Sequence, residues 1–204
     1  MILFYGLASF ILLIFLFWKV VFLRNPDRNT PEGDFVIAPA DGKVIEVIEY
    51  SKNKVTLYKG NRRLLGIIKT LTNDVSSNGY IISIFMSPLD VHVNRSPIAG
   101  TVTNVKHSAG RFLPVTNLKA GLVNEKSEIT IDGKIRLKVI QIAGFLARRV
   151  VTEVKPKDII NTGQQIGLIN LGSQVTLILP KSIILKVKKG DRTVAGETIL
   201  AKIN

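Results

Sequence analysis

The stretch that decides the fold is Pro39-Ala-Asp-Gly-Lys-Val-Ile-Glu-Val47, because a second stretch repeats its pattern. Pro97-Ile-Ala-Gly-Thr-Val-Thr-Asn-Val105 matches it as P-x-x-G-x-V-x-x-V. A Gly-containing turn that runs into spaced Val residues is typical of a turn followed by a β-strand. The first copy has Asp41 where the second has Ala99, so the turn itself does not need the carboxylate. Asp41 is therefore a candidate for another role.

A second pair of similar stretches lies nearer the carboxyl terminus. Val154-Lys-Pro-Lys-Asp158, with Gly163 and Ile166 after it, matches Val187-Lys-Lys-Gly-Asp191, with Gly196 and Ile199 after it. Between such turns the chain from residue 34 onward is rich in Val, Ile and Thr in short runs. We therefore predict a mainly β fold, a duplicated β-barrel or sandwich of the biotinyl/lipoyl-like type.

The amino-terminal segment has a different composition. Residues 1–18 contain no charged side chain, and the apolar stretch continues past Lys19 to Leu23. A spanning helix needs about 20 apolar residues. We expect residues 1–24 to form a membrane helix and residues 25–204 to form the rest of the protein. Spanning is preferred to lying in the interface, and the positive charge that follows the helix favours a cell-membrane protein with its domain on the cytoplasmic side.

Composition and charge limit the possible chemistry. The chain has 204 residues, a formal net charge of +13, no cysteine and two histidines, His92 and His107. Disulfides and thiol nucleophiles are excluded, and we expect no metal site built from His and Cys. The positive charge indicates an anionic partner. No basic stripe is interleaved with aromatic residues, so we expect a membrane surface rather than nucleic acid.

Two polar segments are candidates for the chemistry. Ser87-Pro-Leu-Asp-Val-His-Val-Asn-Arg-Ser-Pro97 follows an apolar strand, and at strand spacing Asp90, His92 and Asn94 would share one face. Gly172 and Ser173 lie between two apolar strands. Taken alone, the first segment is better explained as a polar strand end, and the second as a bulge or turn. The serine becomes a candidate nucleophile only if a base and a carboxylate lie nearby.

Taken together, the motifs resemble those of the phosphatidylserine decarboxylase family, particularly its shorter bacterial and archaeal forms. The resemblance covers nearly all of the chain after the apolar segment. The segments that carry it, in order, are Arg24-Asn-Pro-Asp-Arg28, Ala38-Pro-Ala-Asp-Gly-Lys-Val44, Phe85-Met-Ser-Pro-Leu-Asp-Val-His-Val-Asn-Arg95, Asn124-Glu-Lys126, Gln141-Ile-Ala-Gly-Phe-Leu-Ala-Arg-Arg-Val150 and Leu171-Gly-Ser173.

The resemblance implies a self-made cofactor. Ser173 would attack the carbonyl of Gly172, form an ester and then eliminate. This would leave a β chain of residues 1–172 and an α chain of residues 173–204 that begins with a pyruvoyl group. The pyruvoyl ketone would condense with the amine of phosphatidylserine, or of its archaeal ether analogue, and accept the electrons released as carbon dioxide leaves, giving the ethanolamine phospholipid. The family also suggests a homodimer.

The resemblance further implies a role for two side chains. Asp41 would support the base that activates Ser173, and His92 would protonate the substrate carbon after decarboxylation. Longer members have a second histidine, assigned to self-cleavage, at the position of Arg95. Either His92 therefore serves both steps, or Asp41 acts directly, or His107 takes part; the first alternative is preferred.

Four further positions bear on the site. Gln174 replaces the common Thr or Ser after the nucleophile. Arg148 and Arg149 are candidates for lipid phosphate or substrate carboxylate, and equally for surface arginines. Glu125 is a candidate for orienting the site.

Three rival interpretations stay open at the level of sequence. The first is a membrane-anchored barrel that serves as an adaptor or carrier, although the modifiable lysine motif of a carrier is missing. The second is a pyruvoyl enzyme that decarboxylates another amino acid. The third is a family member that never cleaves itself, which the missing second histidine keeps open.

Overall fold

The protein was analysed as a computed structural model. The structure describes residues 2–51, 54–55, 71–72, 74–113, 115, 123–145, 149–170 and 172–204.

Strands are the main regular secondary structure of the described residues, as the sequence predicts. An α-helix, α1 (Ile2–Leu16), continues as a π-helical segment, Phe17–Phe22. The strands of the described residues are β1 (Phe35–Ile37), β2 (Gly42–Ser51), β3 (Lys54–Val55), β4 (Asn78–Met86), β5 (Val93–Arg95), β6 (Gly100–Ser108), β7 (Lys126–Gly133), β8 (Arg136–Ile142), β9 (Val150–Thr152), β10 (Ile159–Ile160), β11 (Gln165–Ile169), β12 (Ser173–Pro180), β13 (Ile183–Leu185), β14 (Arg192–Thr193) and β15 (Ile199–Ile203).

The strands form one large sheet and two small ones. The large sheet has nine strands in the order β10-β6-β7-β8-β12-β4-β2-β14, with β3 paired to β2, and it curls into a half-barrel. The small sheets have the orders β1-β15-β13 and β5-β11-β9. β12 lies in the middle of the large sheet, antiparallel to β4 on one side and β8 on the other.

Apolar side chains cover both faces of the central strands. In β12, Val175, Leu177 and Leu179 belong to the main core, and Ile178 belongs to a second cluster on the opposite face. A strand buried on both faces reads as a nearly continuous apolar run, which is the pattern of residues 175–179. The face of β12 that bears Ser173 is therefore turned toward the main core, because side chains alternate along a strand.

The two pairs of similar stretches occupy matching places at the two ends of the large sheet. β2 and β6 each begin at the glycine of the shared pattern, and each pairs with a two-residue strand from the second pair, β14 and β10 respectively. The backbone contacts also match. Val44 N donates to Asp191 O over 2.8 Å, and Val102 N donates to Asp158 O over 2.9 Å. The repetition in sequence thus corresponds to repeated local structure, whereas the biotinyl/lipoyl-like type stays a prediction.

Gly42 is required where β2 starts. Its φ is +148°, and a Cβ there would lie 2.1 Å from the carbonyl oxygen of Phe85 on β4. Both the backbone conformation and the close approach of β4 therefore exclude a side chain. This glycine lets the turn that contains Asp41 pack against the strand that leads to the 87–97 segment.

The amino-terminal helix is exposed along most of its described length. Side chains such as Phe4, Leu7, Phe10 and Leu13 are 60% exposed or more. Among the described residues, no helix has both the length and the hydropathy needed to cross a membrane. The predicted spanning helix is therefore not confirmed. Phe22, at the end of the π-helical segment, is buried, unlike the other side chains whose exposure the structure describes in this helix.

We expect Gly42→Ala to lower the free energy of unfolding by about 3 kcal/mol, because the new methyl group meets the Phe85 carbonyl and the backbone is strained. Gly190→Ala is the matched control. Gly190 also has a positive φ, +102°, but a Cβ there would meet nothing within 4 Å. Its cost should be about 1 kcal/mol. Urea unfolding of both variants measures the difference, and equal costs would contradict the proposed backbone clash.

Candidate active site

Ser173 is the first residue of β12 and is completely buried. It pairs with Met86 at the end of β4, and its Oγ donates a hydrogen bond to Met86 Sδ over 3.4 Å. A thioether sulfur is a weak acceptor. The serine hydroxyl is thus shielded from water and held only weakly, so little free energy is needed to release it for another partner.

The carbonyl oxygen of Gly172 lies so close to residue 144 that only glycine fits there. Gly172 has a φ of +64°, in the left-handed region. A Cβ on Gly144 would lie 1.7 Å from the Gly172 carbonyl oxygen. The peptide group between Gly172 and Ser173 therefore lies against the backbone of Gly144, immediately after β8. Leu171 of the Leu-Gly-Ser motif is outside the described residues.

His92 is buried with one ring nitrogen unpaired. Its Nδ1 lies 2.8 Å from the carbonyl oxygen of Asp90, and its Nε2 has no hydrogen-bond partner among the residues that the structure describes. A carbonyl can only accept, so Nδ1 carries the proton and Nε2 presents a lone pair. Burial lowers the pKa of His92 from its ordinary value of 6.5 to about 4, partly offset by the Asp90 carbonyl and by the carboxylates of Asp90 and Asp41. At neutral pH the ring is an uncharged base.

His92 faces a cavity of about 140 Å³ between the end of the amino-terminal helix and the small sheet of β5, β9 and β11. The ring of Phe22 packs on the imidazole, with 4.2 Å between the ring centroids. The cavity thus combines an apolar wall with a single unpaired imidazole nitrogen. Its lining residues are Phe22, Leu23, Asn25, His92, Val93, Gln165 and Leu168.

Asp41 lies in the turn before β2, where it is held by other groups. Its carboxylate accepts two hydrogen bonds from Arg28 Nη2, at 2.9 and 3.1 Å, and one from Ala195 N at 2.7 Å. Neither His92 nor Ser173 hydrogen-bonds to it. Asp41 acts on His92 only through space, as a carboxylate that raises the pKa of the imidazole. No hydrogen bond joins Asp41 to His92 or Ser173, so its predicted role in supporting the base stays a prediction.

Arg95, at the position where longer family members have a second histidine, makes hydrogen bonds that join separate segments of the chain. Its guanidinium donates to Gly163 O, Asn25 Oδ1 and Pro26 O, at 3.0, 2.6 and 3.1 Å. It therefore ties the segment after the amino-terminal helix to the turn before β11. His107, the other candidate base, has a half-exposed side chain 3.8 Å from Glu125. Glu125 also accepts a hydrogen bond from Val150 N.

The expectation that Asp90, His92 and Asn94 share a strand face is wrong. Asp90 closes a turn, since Asp90 N donates to Ser87 O and its carboxylate accepts from Ser87 N. β5 begins only at Val93, so His92 precedes the strand and Asn94 alone lies within it. Of the candidate arginines, Arg149 is exposed and Arg148 is outside the described residues.

A buried polar chain next to Ser173 was missed at the level of sequence. Asn94 Nδ2 lies 3.8 Å from Met86 Sδ, the same sulfur that Ser173 contacts. Gln141 donates to Asn94 Oδ1 over 2.9 Å, and Thr152 lies 2.9 Å from Gln141 Oε1. The only signal in the sequence is a glutamine inside the apolar run of β8.

Comparisons with known proteins show the family to which the chain belongs. The family model described as phosphatidylserine decarboxylase matches residues 15–201. A putative archaetidylserine decarboxylase proenzyme of Methanocaldococcus jannaschii is 40% identical over 97% of this chain and 94% of its own length. A phosphatidylserine decarboxylase proenzyme of Chlorobium phaeovibrioides is 40% identical over 97% of this chain and 81% of its own length. The chain therefore belongs to the phosphatidylserine decarboxylase family, a family of carboxy-lyases.

The low pKa of His92 predicts how stability depends on pH. Between about pH 6.5 and pH 4 the unfolded chain binds a proton at His92 and the folded chain does not. The free energy of unfolding should therefore fall as the pH drops through this window, by roughly 3 kcal/mol from this group. Above pH 6.5 its contribution is fully present.

Urea unfolding of the wild type and of His92→Gln at several pH values measures this effect. The difference in pH dependence between the two proteins isolates His92, because all other groups are shared. His107→Gln is the matched control and should keep the wild-type fall. Parallel curves for the wild type and His92→Gln would contradict the assignment.

Proposed function

We propose that the protein removes carbon dioxide from the serine headgroup of phosphatidylserine, or of its archaeal ether analogue, with a pyruvoyl group made from Ser173. The observation that carries the proposal is the buried Ser173, which follows a left-handed glycine and has only a thioether as partner. His92, whose Nε2 is unpaired among the described residues, comes directly before β5. Asn94 of β5 lies 3.8 Å from the same Met86 sulfur. The relatives that carry the name proenzyme support the same conclusion.

The residues around Ser173 fit a pyruvoyl group. The side chain points into the core, beside Met86 and on the same face as Val175, so a methyl group would replace the hydroxymethyl group, and a ketone oxygen the backbone nitrogen, without burying a charge. Once formed, the group supplies an electron sink for decarboxylation. The rest of the chemistry falls to the chain's own residues.

Self-cleavage requires Ser173 Oγ to add to the carbonyl carbon of Gly172. The peptide C–N bond then breaks, its nitrogen takes the hydroxyl proton, and an ester joins Gly172 to the serine oxygen. Loss of the Ser173 α-proton expels Gly172 as a carboxylate, and hydrolysis of the remaining enamine consumes one water and releases ammonia. The new termini are Gly172 of the β chain and residue 173 of the α chain, which are the proposed partners of the processed protein.

His92 is the base best suited to these proton transfers, because its Nε2 lone pair is buried and unpaired. We propose that it serves self-cleavage and, later, protonates the substrate carbon. A substrate carboxylate that enters the cavity would raise the pKa of the imidazole, since an opposite charge favours the protonated form. The neutral base of the empty cavity would thus become a proton donor when substrate binds.

The cavity would bind the lipid headgroup, and the amino-terminal helix would lie at the membrane. Asn25 and Gln165, whose amides are hydrogen-bonded to each other over 2.9 Å, form a polar part of the cavity where a headgroup would bind. Phe22 and Leu23 line the wall toward the helix. We propose that the exposed apolar helix attaches the protein to the cell membrane on the cytoplasmic side, which would present lipid headgroups to this opening. The barrel type, the division at residue 24 and the homodimer stay predictions.

Intact mass spectrometry tests the proposed cleavage. Wild-type protein should give two chains, residues 1–172 and residues 173–204 with a pyruvoyl terminus, and should release carbon dioxide from vesicles that contain phosphatidylserine or its ether analogue. Ser173→Ala should stay uncut and inactive. Ser182→Ala, at an exposed serine of the same chain, is the matched control and should cleave normally. A folded wild type that stays uncut would favour the family member that never cleaves.

Gly144→Ala should block self-cleavage without touching the nucleophile, because its methyl group would displace the Gly172 carbonyl by more than 1 Å. A misplacement of that size costs about 100-fold in rate. Gly6→Ala is the control, since a Cβ there meets nothing within 4 Å. The fraction cleaved over time, with circular dichroism to verify folding, measures the effect. Wild-type cleavage by a folded Gly144→Ala protein would contradict the proposed geometry.

A further inference from the structure

The polar chain beside Ser173 is buried in an otherwise apolar core. Asn94 and Gln141 are completely buried, and Ser127 is 1% exposed. Such groups cost free energy unless each finds a partner, and an apolar set of similar size would pack without that requirement. The polar residues therefore call for an explanation beyond packing.

The direction of every hydrogen bond in this chain is fixed by its end at Met86. A thioether can only accept, so Asn94 presents its NH₂ to Met86 Sδ and its carbonyl to Gln141. Gln141 must then donate through Nε2, which leaves Oε1 to accept from Thr152. The Thr152 hydroxyl has one proton and uses it for Gln141. The neighbouring Ser127 hydroxyl lies 2.7 Å from Thr152 Oγ1, at the far end of the chain.

Glycine at position 167 leaves room for this arrangement. Gly167 on β11 has a φ of +152°, and a Cβ there would lie 3.0 Å from Gln141 Nε2 and 2.2 Å from Val151 O. The strand that carries Thr152 can thus pair closely with β11, and the Gln141 amide fits against Gly167. Four strands, β5, β7, β8 and β9, each contribute one member of the chain.

We propose that Asn94, Gln141 and Thr152 are positioning residues for the self-cleavage of Ser173, an inference that rests on the proposed function. Thr152 fixes the orientation of the Gln141 amide, and Gln141 fixes that of Asn94. The Asn94 NH₂ then holds the Met86 sulfur where it accepts the Ser173 hydroxyl. The nucleophile is in this way kept in one side-chain conformation before it attacks the Gly172 carbonyl.

Thr152 is the best place to test the relay, because it touches neither Ser173 nor Met86. Thr152→Val has nearly the same shape but removes the proton that orients Gln141. The Gln141 and Asn94 amides can then turn over, which would direct a carbonyl oxygen at the sulfur. We expect self-cleavage to slow about tenfold, since the hydroxyl loses its fixed orientation.

Two further variants separate this role from a general effect on the fold. Thr152→Ser keeps the hydroxyl and should cleave at the wild-type rate. Ser127→Ala removes the outermost member but leaves Thr152 free to donate to Gln141, so it should also cleave at the wild-type rate. The half-time of cleavage is measured by intact mass from freshly translated precursor, with thermal unfolding to verify that all four proteins are folded.

Hydroxylamine adds a readout of the step that is affected. It cuts the ester that joins Gly172 to Ser173, so the yield of cut chain in hydroxylamine reports how fast the ester forms. Thr152→Val should lower this yield along with spontaneous cleavage. Wild-type or faster cleavage by a folded Thr152→Val protein, or failure of Thr152→Ser to restore it, would overturn the relay. A wild type that never cleaves would instead overturn the proposed function.

Discussion

The pairing of β12 with β4 on one side and β8 on the other is the constraint on which the site depends. Ser173 begins β12, so these two ladders of hydrogen bonds fix its position at the edge of the core. The partner strands also deliver the groups around it. β4 ends at Met86, whose sulfur meets the serine hydroxyl, and the chain after β8 brings Gly144 against the Gly172 carbonyl.

Desolvation determines the character of the site. The serine, the imidazole and the amides beside them are all withdrawn from water, and each has few partners. Burial keeps His92 neutral at physiological pH, and the Asp90 carbonyl selects the tautomer that leaves Nε2 available. The protonation state of this imidazole is therefore set by burial and not by a carboxylate in contact with it. Asp41 contributes a more distant charge while it is held by Arg28.

The sequence contained enough to predict the mainly β fold and the two main candidates of the site. Repeated turn patterns predicted the strands at both ends of the large sheet, and the ordered motifs led to Ser173 and His92. The contacts of Asp41 and the polar chain from Asn94 to Thr152 could not be predicted from the sequence, because they join residues that are far apart in it. Strand spacing failed at Asp90 because a turn stabilised by Ser87 delays the start of β5. The change from α-helix to π-helix before Phe22 also has no local signal.

The central position of β12 has a consequence for the stability and refolding of the processed protein. A cut before Ser173 would leave the backbone hydrogen bonds of β12 and β15 intact. The short carboxyl-terminal chain would therefore stay paired with strands of the longer chain. Folding of the uncut chain is intramolecular, whereas reassembly of two separated chains would depend on their concentration. Maturation would thus be a one-way event: the mature fold would persist through its slow unfolding and would be difficult to regain once lost.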